Sequence, residues 1–337
     1  MRVLVTGTAG FIGFHLANRL KSDGHQVTGF DNMSPYYDVA LKQARLAKLR
    51  DAGVPVVEAD LCDTAALQEV WQKANPEVVV HLAAQAGVRY SLDNPQAYVD
   101  SNLVGFSNML ELARATPPKH FLYASTSSVY GANTTLPWSE SHPVEHPVSF
   151  YAATKKSNEM MAHSYSDLFR LPITGMRFFT VYGEWGRPDM AFFKFADAML
   201  KGEPIEVYNH GKMTRDFTYV SDVVDAVVEL MATTPEPVET ADGQPARLGA
   251  SPVAPHRLVN IASGTRVELM HYIGCLENSL GVKAQINYTG MVPGDVRDTW
   301  GDVSVLSDLI GYKPKVNVEH GIDRFARWYR DYYGLET

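Results

Sequence analysis

The sequence predicts an α/β protein with a doubly wound parallel sheet, followed by a smaller C-terminal domain. Short β-branched runs alternate with segments of helical periodicity as far as Phe178, which is typical of a parallel sheet covered by helices. Regularly spaced glycines follow the first run directly. After Phe178 the alternation becomes less regular. The 337 residues are enough for two domains.

Six apolar runs predict the strands of the sheet, and residues three or four apart predict helices between most of them. The first run, residues 3–5, stops at Gly7, and Phe11, Ile12 and Leu16 then recur at helical spacing. The other strands are predicted at residues 26–30, 54–58, 78–82, 120–125 and 173–178.

The region beyond residue 178 predicts a second domain. Helices are expected near residues 192–200, 220–231 and 268–280, and strands near 205–208 and 257–261. We therefore expect residues 1–178 to form the sheet domain, with 220–261 packing back onto it, and residues 179–219 and 262–337 to form the substrate-binding domain. Five prolines and two glycines within 234–256 predict a long exposed loop.

Composition and charge exclude several classes of protein. Acidic residues outnumber basic ones by 38 to 30, so nucleic acid is not an expected partner. Cys62 and Cys275 are too few for a disulfide framework or a paired-thiolate zinc site, which favours a cytoplasmic location. The apolar runs fall short of the ~18 residues that span a bilayer, and glycines interrupt the N-terminal run, so we interpret it as mature protein. Prolines 143 and 147 oppose the helix that the H-x-x-E-H pattern at 142–146 would need, so no metal is expected.

A glycine fingerprint follows the first strand and opens the first helix. Gly7, Gly10 and Gly13 have the spacing that permits a tight turn, close approach of a pyrophosphate and close packing of helix on strand. The helix N-terminus attracts the anion. Asp31 ends the second strand, where its carboxylate can bind a ribose diol and would repel a 2′-phosphate, which favours NAD over NADP.

Tyr151 and Lys155 stand four residues apart at the start of a predicted helix, so the phenol and the ammonium share one face. Such a pair alone is common on exposed helices. Behind a dinucleotide fingerprint it predicts a general base, because the Lys155 charge and a cationic nicotinamide ring would both stabilise the Tyr151 phenolate. Thr126, Ser127 and Ser128 follow the fifth strand, at the sheet edge where ligands bind.

Several segments together resemble the extended short-chain dehydrogenase/reductase family, which has a Rossmann-type fold. They are TGTAGFIG (6–13), HLAAQAGVRYS (81–91), YASTSSVYG (123–131), YAATK (151–155), RFFTVYGEWGRPDMA (177–191), RDFTYVSD (215–222) and PGDVRDTW (293–300). The resemblance runs from residue 1 to about 330, and WGRPDMA is its most specific segment. Within the family it is closest to the branch that inverts C4 of UDP-glucuronate.

The resemblance implies a role for each matching residue. Tyr151, Lys155 and Thr126 would be catalytic. The implied NAD site comprises Gly7, Gly10, Phe11, Ile12, Gly13, Asp31, Asn32, Asp60, Leu61, Leu82, Ala83, Ala84, Gln85, Asn102, Tyr151 and Lys155. The implied UDP-sugar site comprises Arg89, Ser127, Ser128, Thr180, Arg187, Arg215, Asp295 and Arg297.

The implied reaction is oxidation of the sugar at C4, rotation of the 4-keto sugar and reduction on its other face. Thr180 stands where epimerases of neutral hexoses usually have Asn, and Ser127 and Ser128 stand where decarboxylases have an acid, so a retained uronate is expected. A UDP-N-acetylated uronic acid or UDP-glucose as substrate, a UDP-glucuronate decarboxylase, and an NAD-sensing binding protein remain open. Similar enzymes form homodimers through helices that would span about 99–116 and 149–168.

Overall fold

The computed structural model describes residues 1–237, 249–291 and 294–335. Its strands are β1 (Arg2–Thr6), β2 (Gln26–Asp31), β3 (Val56–Glu58), β4 (Val78–His81), β5 (His120–Thr126), β6 (Ile173–Phe178), β7 (Thr180–Tyr182), β8 (Ile205–Val207), β9 (Thr214–Tyr219), β10 (His256–Ile261), β11 (Arg266–Glu268) and β12 (Ile286–Tyr288). Its α-helices are α1 (Phe11–Ser22), α2 (Val39–Asp51), α3 (Thr64–Ala74), α4 (Tyr90–Asp93), α5 (Pro95–Tyr98), α6 (Gly105–Ala115), α7 (Phe150–Phe169), α8 (Ala191–Lys201), α9 (Val220–Ala232), α10 (Leu269–Leu280), α11 (Ser304–Ile310) and α12 (Val318–Tyr333).

Seven parallel strands form the main sheet in the order β10-β6-β5-β4-β1-β2-β3. This is the predicted doubly wound sheet. The chain moves outward from β1 through β2 to β3 and then crosses back to β4 on the other side of β1. The carboxyl ends of β1 and β4 therefore flank the point where the winding reverses, which is where ligands bind in such sheets.

Burial on both faces explains the continuous apolar runs of these strands. All six residues of β6 and all four of β4 are buried, as expected for parallel strands covered by helices on both sides. Among the described residues, no helix is long and apolar enough to cross a membrane.

Helix α9 and strand β10 return to the main sheet. Helix α9 packs against α1, and β10 pairs with β6 in parallel. The remaining strands form a three-stranded sheet, β11-β9-β7, and a two-stranded sheet, β12-β8. The short strands β7, β9, β11 and β12 were not predicted from the sequence.

The predicted exposed loop at 234–256 is wrong for its C-terminal part. Ser251, Ala254 and His256 are buried. The backbone here already belongs to the sheet, because the carbonyl of Pro255 accepts the Ile173 amide at 2.9 Å. The Ser251 hydroxyl also accepts the amide of Ala254 at 3.1 Å, so the prolines shape a packed turn rather than a solvated loop. Residues 238–248 lie outside the described part of the chain.

Candidate active site

A cleft of about 810 Å³ opens at the carboxyl ends of β1, β2, β4 and β5. Residues of the second part of the chain, including Thr180, Arg187, Arg215 and Asp295, form its other wall. The cleft therefore joins the glycine loop to the catalytic pair and continues to the residues implied for the UDP-sugar.

The three glycines of the first loop are each required by a close approach. Gly7 has a φ of +73°, and a Cβ there would lie 2.7 Å from the Ala83 nitrogen. A Cβ on Gly10 would lie 2.9 Å from the Gly7 oxygen, and one on Gly13 only 2.1 Å from the same oxygen. Helix α1 has no side-chain cap at Gly10. Its N-terminal amides thus face the cleft beside a loop that no larger residue could form.

Asp31 is fixed by two backbone amides. Its Oδ2 accepts the Ala9 amide and its Oδ1 accepts the Met33 amide, both at 2.9 Å. A carboxylate has about four acceptor sites, so both oxygens can still accept hydroxyls of a ribose.

Lys42 lines the cleft, and no pattern in the sequence singled it out. Its side chain is buried against the cleft, with the ammonium 4.7 Å from the centre of the Tyr37 ring. Burial lowers its pKa, and the charge of Asp31 opposes that effect. Lysine is ordinary in an amphipathic helix such as α2, so the sequence holds no signal that would single out this one.

The remaining residues implied for the cofactor line the cleft, with one exception. Those in place are Asn32, Asp60, Leu61, Leu82, Ala83, Ala84 and Gln85. The Asn32 amide donates to Asp60 Oδ2 at 2.8 Å, and this bond helps to lower the pKa of Asp60 against the opposing effect of burial.

Asn102 is the exception. It is buried behind the wall, where its amide donates to the Gln85 carbonyl and to Thr154 Oγ1, both at 3.0 Å, and its oxygen accepts the Gln85 amide at 2.8 Å. With these atoms already bonded inside the protein, Asn102 positions the Gln85 loop against α7 rather than contacting a ligand.

Tyr151, Lys155 and Thr126 meet in the middle of the cleft, as the spacing on α7 predicts. The Lys155 ammonium donates to the Ala124 carbonyl at 2.9 Å, and burial lowers its pKa to about 7. Burial also raises the pKa of Tyr151, while a hydrogen bond with Thr126 and the charge of Arg187 act in the opposite direction. Stabilisation of the phenolate by Lys155 and a bound nicotinamide ring stays a prediction, and Thr126 and Arg187 add to it.

The hydroxyl groups expected around the sugar line the same cleft as Tyr151. Thr126 caps a 3₁₀ turn at Ser127–Tyr130 by accepting the Ser128 amide at 3.2 Å, and its hydroxyl donates to Ser128 Oγ at 3.2 Å. Ser127, Ser128 and Thr180 all line the cleft. No acidic residue occupies the turn, so this part of the site offers neutral donors.

Arg187 lines the cleft in a cluster with Asp189 and Tyr36, of which the sequence indicated only Arg187. Its Nε donates to Asp189 Oδ1 at 3.0 Å, and Tyr36 donates to Asp189 Oδ2 at 3.1 Å. The Arg187 charge lowers the pKa of Asp189 against the opposing effect of burial. Asp189 and Tyr36 were missed, although the first lies within the WGRPDMA segment.

Arg45 holds this cluster to the cofactor loop. Its buried guanidinium donates to the Ala9 carbonyl at 2.9 Å and to the carbonyls of Trp185 and Gly186 at 2.6 and 3.1 Å. One side chain thus connects the glycine loop, through Ala9, to the segment that carries Arg187.

Arg215, Asp295 and Arg89 form the far end of the cleft, whereas Arg297 does not line it. Arg215 donates to Asp295 at 2.9 Å, and Arg89 donates to Tyr208 at 3.0 Å. The Arg297 side chain is 72% exposed and lies 3.6 Å from Asp298, while its backbone carbonyl accepts from Arg215. The role implied for the Arg297 side chain at the nucleotide stays a prediction, and in this structure Arg215 bonds only the backbone of Arg297.

The residues present fit NAD. The glycine cradle excludes a Cβ at each of its three positions, the helix behind it lacks a side-chain cap, and Asp31 has acceptor sites left for a ribose. A doubly wound sheet with this loop and with a tyrosine and a buried lysine at the same cleft defines a dinucleotide-dependent enzyme that acts on a hydroxyl group.

Comparison with known proteins identifies the family. The sequence model of the NAD dependent epimerase/dehydratase family matches residues 3–240, and the chain belongs to this family. It is 53% identical over 334 residues to a probable UDP-glucuronate 4-epimerase of Rhizobium meliloti, covering 99% of this chain and 98% of that protein. It is 44% identical to UDP-glucuronate 4-epimerase 3 of Arabidopsis thaliana, covering 98% of this chain and 77% of that protein.

A solved structure has the same architecture and holds both ligands. The UDP-glucuronic acid 4-epimerase from Bacillus cereus in complex with UDP-glucuronic acid and NAD superposes with a TM-score of 0.87 at 32% identity, covering 99% of this chain and all of that one.

Proposed function

We propose that this protein converts UDP-glucuronate into UDP-galacturonate by inverting C4, with NAD retained through the cycle. The relatives named above carry this activity in their names, and the site contains the expected catalytic groups in one cleft. The observation that carries the proposal is that the neutral hydroxyls of Ser127, Ser128 and Thr180 line the same cleft as Tyr151.

The hydroxyl cluster suits a carboxylate at C6 of the sugar. A hydroxyl donor can hold a carboxylate by a charge-assisted hydrogen bond, whereas an acidic residue there would repel it. The 4-keto form of a uronic acid is a β-keto acid, which loses CO2 when its carboxylate turns perpendicular to the carbonyl plane. Donors that fix the carboxylate in another orientation therefore favour epimerisation over decarboxylation.

Tyr151 would move the proton of the sugar 4-OH. NAD, when bound, supplies the acceptor and donor of the C4 hydride. Because burial raises the pKa of Tyr151, the phenol needs nearby positive charge to act as a base, and Arg187 already contributes in that direction. The Thr126 side chain is hydrogen-bonded to the Tyr151 phenol. The Lys155 ammonium is anchored by its hydrogen bond to the Ala124 carbonyl.

The arginines at the far end would hold the nucleotide diphosphate. Arg215 and Arg89 line the cleft away from the glycine loop and present several donors each. Arg215 is already oriented by Asp295 and by two backbone carbonyls. It can meet a diphosphate without first being ordered, which reduces the entropic cost of binding.

A single incubation separates the open alternatives. The purified protein is mixed with UDP-glucuronate, without added cofactor, and the products are separated by chromatography. UDP-galacturonate is the expected product. UDP-pentose with release of CO2 would identify a decarboxylase, and absence of reaction with UDP-glucuronate, UDP-glucose and N-acetylated UDP-sugars would support a binding role.

The same preparation tests the cofactor. Denaturation should release NAD, because the Asp31 carboxylate would repel the 2′-phosphate of NADP. Recovery of NADP would contradict the role given to Asp31.

We also propose a cytoplasmic homodimer. Two free cysteines are consistent with a reducing compartment. Met160 and Leu168 are exposed on α7, and Val104 is exposed just before α6, so these helices present apolar side chains to solvent. Sedimentation should give a dimer, and aspartate in place of Met160 and Leu168 should give a monomer.

A further inference from the structure

Outside the cleft, three side chains of metal-binding type meet where α10 and α12 pack together. His271 and Cys275 are one helical turn apart on α10, and Glu319 lies in the first turn of α12. Their ligand atoms all lie within 4.8 Å of one another. None of the three lines the cleft. The sequence predicted no metal, because neither paired cysteines nor the 142–146 pattern indicated one.

The distance between the sulfur and the imidazole nitrogen matches a tetrahedral zinc site. Zinc bond lengths and tetrahedral angles place a thiolate sulfur and an imidazole nitrogen about 3.6 Å apart, and a nitrogen and a carboxylate oxygen about 3.4 Å apart. Here Cys275 Sγ lies 3.7 Å from His271 Nε2, and that nitrogen lies 2.8 Å from Glu319 Oε1. The carboxylate would have to withdraw from the imidazole nitrogen, and its side chain is half exposed.

Burial and charge distinguish this cluster from an ordinary surface ion pair. Cys275 is buried, so its sulfur faces the packed interior between the helices. The Cys275 thiolate and the Glu319 carboxylate on a divalent cation give a neutral centre. Binding would therefore release the thiol proton and put a metal in its place, and the Glu319 charge would attract that metal. His271 and Glu319 are each 52% exposed, which leaves the fourth position open to water.

We propose that His271, Cys275 and Glu319 bind one zinc ion that joins α10 to α12. Mixed sulfur, nitrogen and oxygen ligands in a tetrahedral arrangement favour zinc over magnesium or calcium. The site also connects to the cleft wall. Tyr272, next to His271 in the chain, stacks on Phe217 with 4.1 Å between ring centres, and Phe217 lines the cleft. The metal would therefore stabilise the helix pair that supports that wall.

The test uses cobalt as a coloured substitute for zinc. The full-length protein is treated with a chelator, dialysed and titrated with Co²⁺, and then Zn²⁺ is added. We expect one cobalt per chain, a near-ultraviolet thiolate-to-cobalt band, displacement by Zn²⁺, and a rise in thermal midpoint on adding Zn²⁺.

Matched variants assign the site. Cys275→Ser should abolish the band, and Cys62→Ser, which changes the other thiol, should keep it. His271→Gln changes an exposed residue and should weaken zinc binding by more than the ~10-fold typical of losing an outer-shell partner. Its thermal midpoint without metal should equal that of the wild type. Absence of a thiolate band in the wild type, or its survival in Cys275→Ser, would overturn the proposal.

Discussion

Replacing Gly13 by alanine should both destabilise the protein and release its cofactor. In an unobstructed helix this change is favourable by about 0.5–1 kcal/mol, because glycine loses more backbone entropy on folding. At Gly13 the new Cβ would lie 2.1 Å from the Gly7 oxygen, well inside the 3.0 Å that real Cβ atoms keep. Gly7 is held in place, because its amide donates to the Phe30 carbonyl at 2.8 Å and its carbonyl accepts the Gly10 amide at 3.0 Å. Overpacking of this kind costs about 1–3 kcal/mol, so the net effect is loss of stability.

Gly274→Ala is the matched control for this change. Gly274 also lies within a helix, α10, but a Cβ there would have no neighbour within 4 Å. It should therefore raise the free energy of unfolding by about 0.5–1 kcal/mol. Both variants are compared by thermal unfolding in chelator and by the amount of NAD released on denaturation. If Gly13→Ala carried the full NAD content and unfolded at the wild-type temperature, the assignment of this loop as the pyrophosphate cradle would fail.

Three further changes test the rest of the site. Tyr151→Phe should lower kcat by at least the ~10²-fold typical of losing a general base while NAD stays bound, and kcat within threefold of wild type would place the base elsewhere. The double change Ser127→Ala with Ser128→Ala should lower kcat/KM for UDP-glucuronate, because each lost bond raises the activation free energy by about 1.5–3 kcal/mol. The kcat/KM for UDP-glucose should change far less. Mass spectrometry should also detect some UDP-pentose among the products. Equal losses for both sugars with no pentose would make these hydroxyls structural. Glu159→Gln should lower the free energy of unfolding, measured with denaturant, by about 3–5 kcal/mol. Glu159 accepts two hydrogen bonds of 2.8 and 2.9 Å from the Arg177 guanidinium, which the change leaves buried without its counter-charge. A loss below 1 kcal/mol would refute that account.

The parts of the site carried by local patterns could be predicted from the sequence. The glycine loop, Asp31 and the Tyr151–Lys155 pair each depend on spacing within one strand, turn or helix. The spacing within one element does not depend on contacts with distant parts of the chain, and these residues line one cleft as expected.

Residues whose roles depend on distant partners could not be predicted in the same way. Arg45 looks like any basic residue of α2, yet it binds carbonyls in two segments far apart in the chain. Asn102 was predicted to contact the cofactor, but its partners on the Gln85 loop and α7 use its side chain. The pKa of Tyr151 is a third case, because spacing gives its neighbours on the helix and not how deeply they are buried.

The short strands were missed for a related reason. Strands β7 and β11 have three residues each, too few for a period to be recognised, and they exist because β9 pairs with both. Asp216 on β9 fixes this arrangement by accepting the amides of Ser263, Gly264 and Gly301 at 2.8–3.1 Å. Such a centre is visible only when the three segments are already folded together.

The return of strand β10 to the main sheet has a consequence for synthesis of the chain on the ribosome. Strand β10 pairs with one edge of β6, but it cannot do so until residue 261 has emerged from the ribosome. Strands β1 to β6 have all been synthesised long before that. During that interval the apolar strand β6 is an unpaired edge, the kind of surface on which nascent chains associate wrongly. The cofactor half cannot finish folding as an independent unit, so truncations that end before β10 should accumulate as aggregates rather than as small NAD-binding domains.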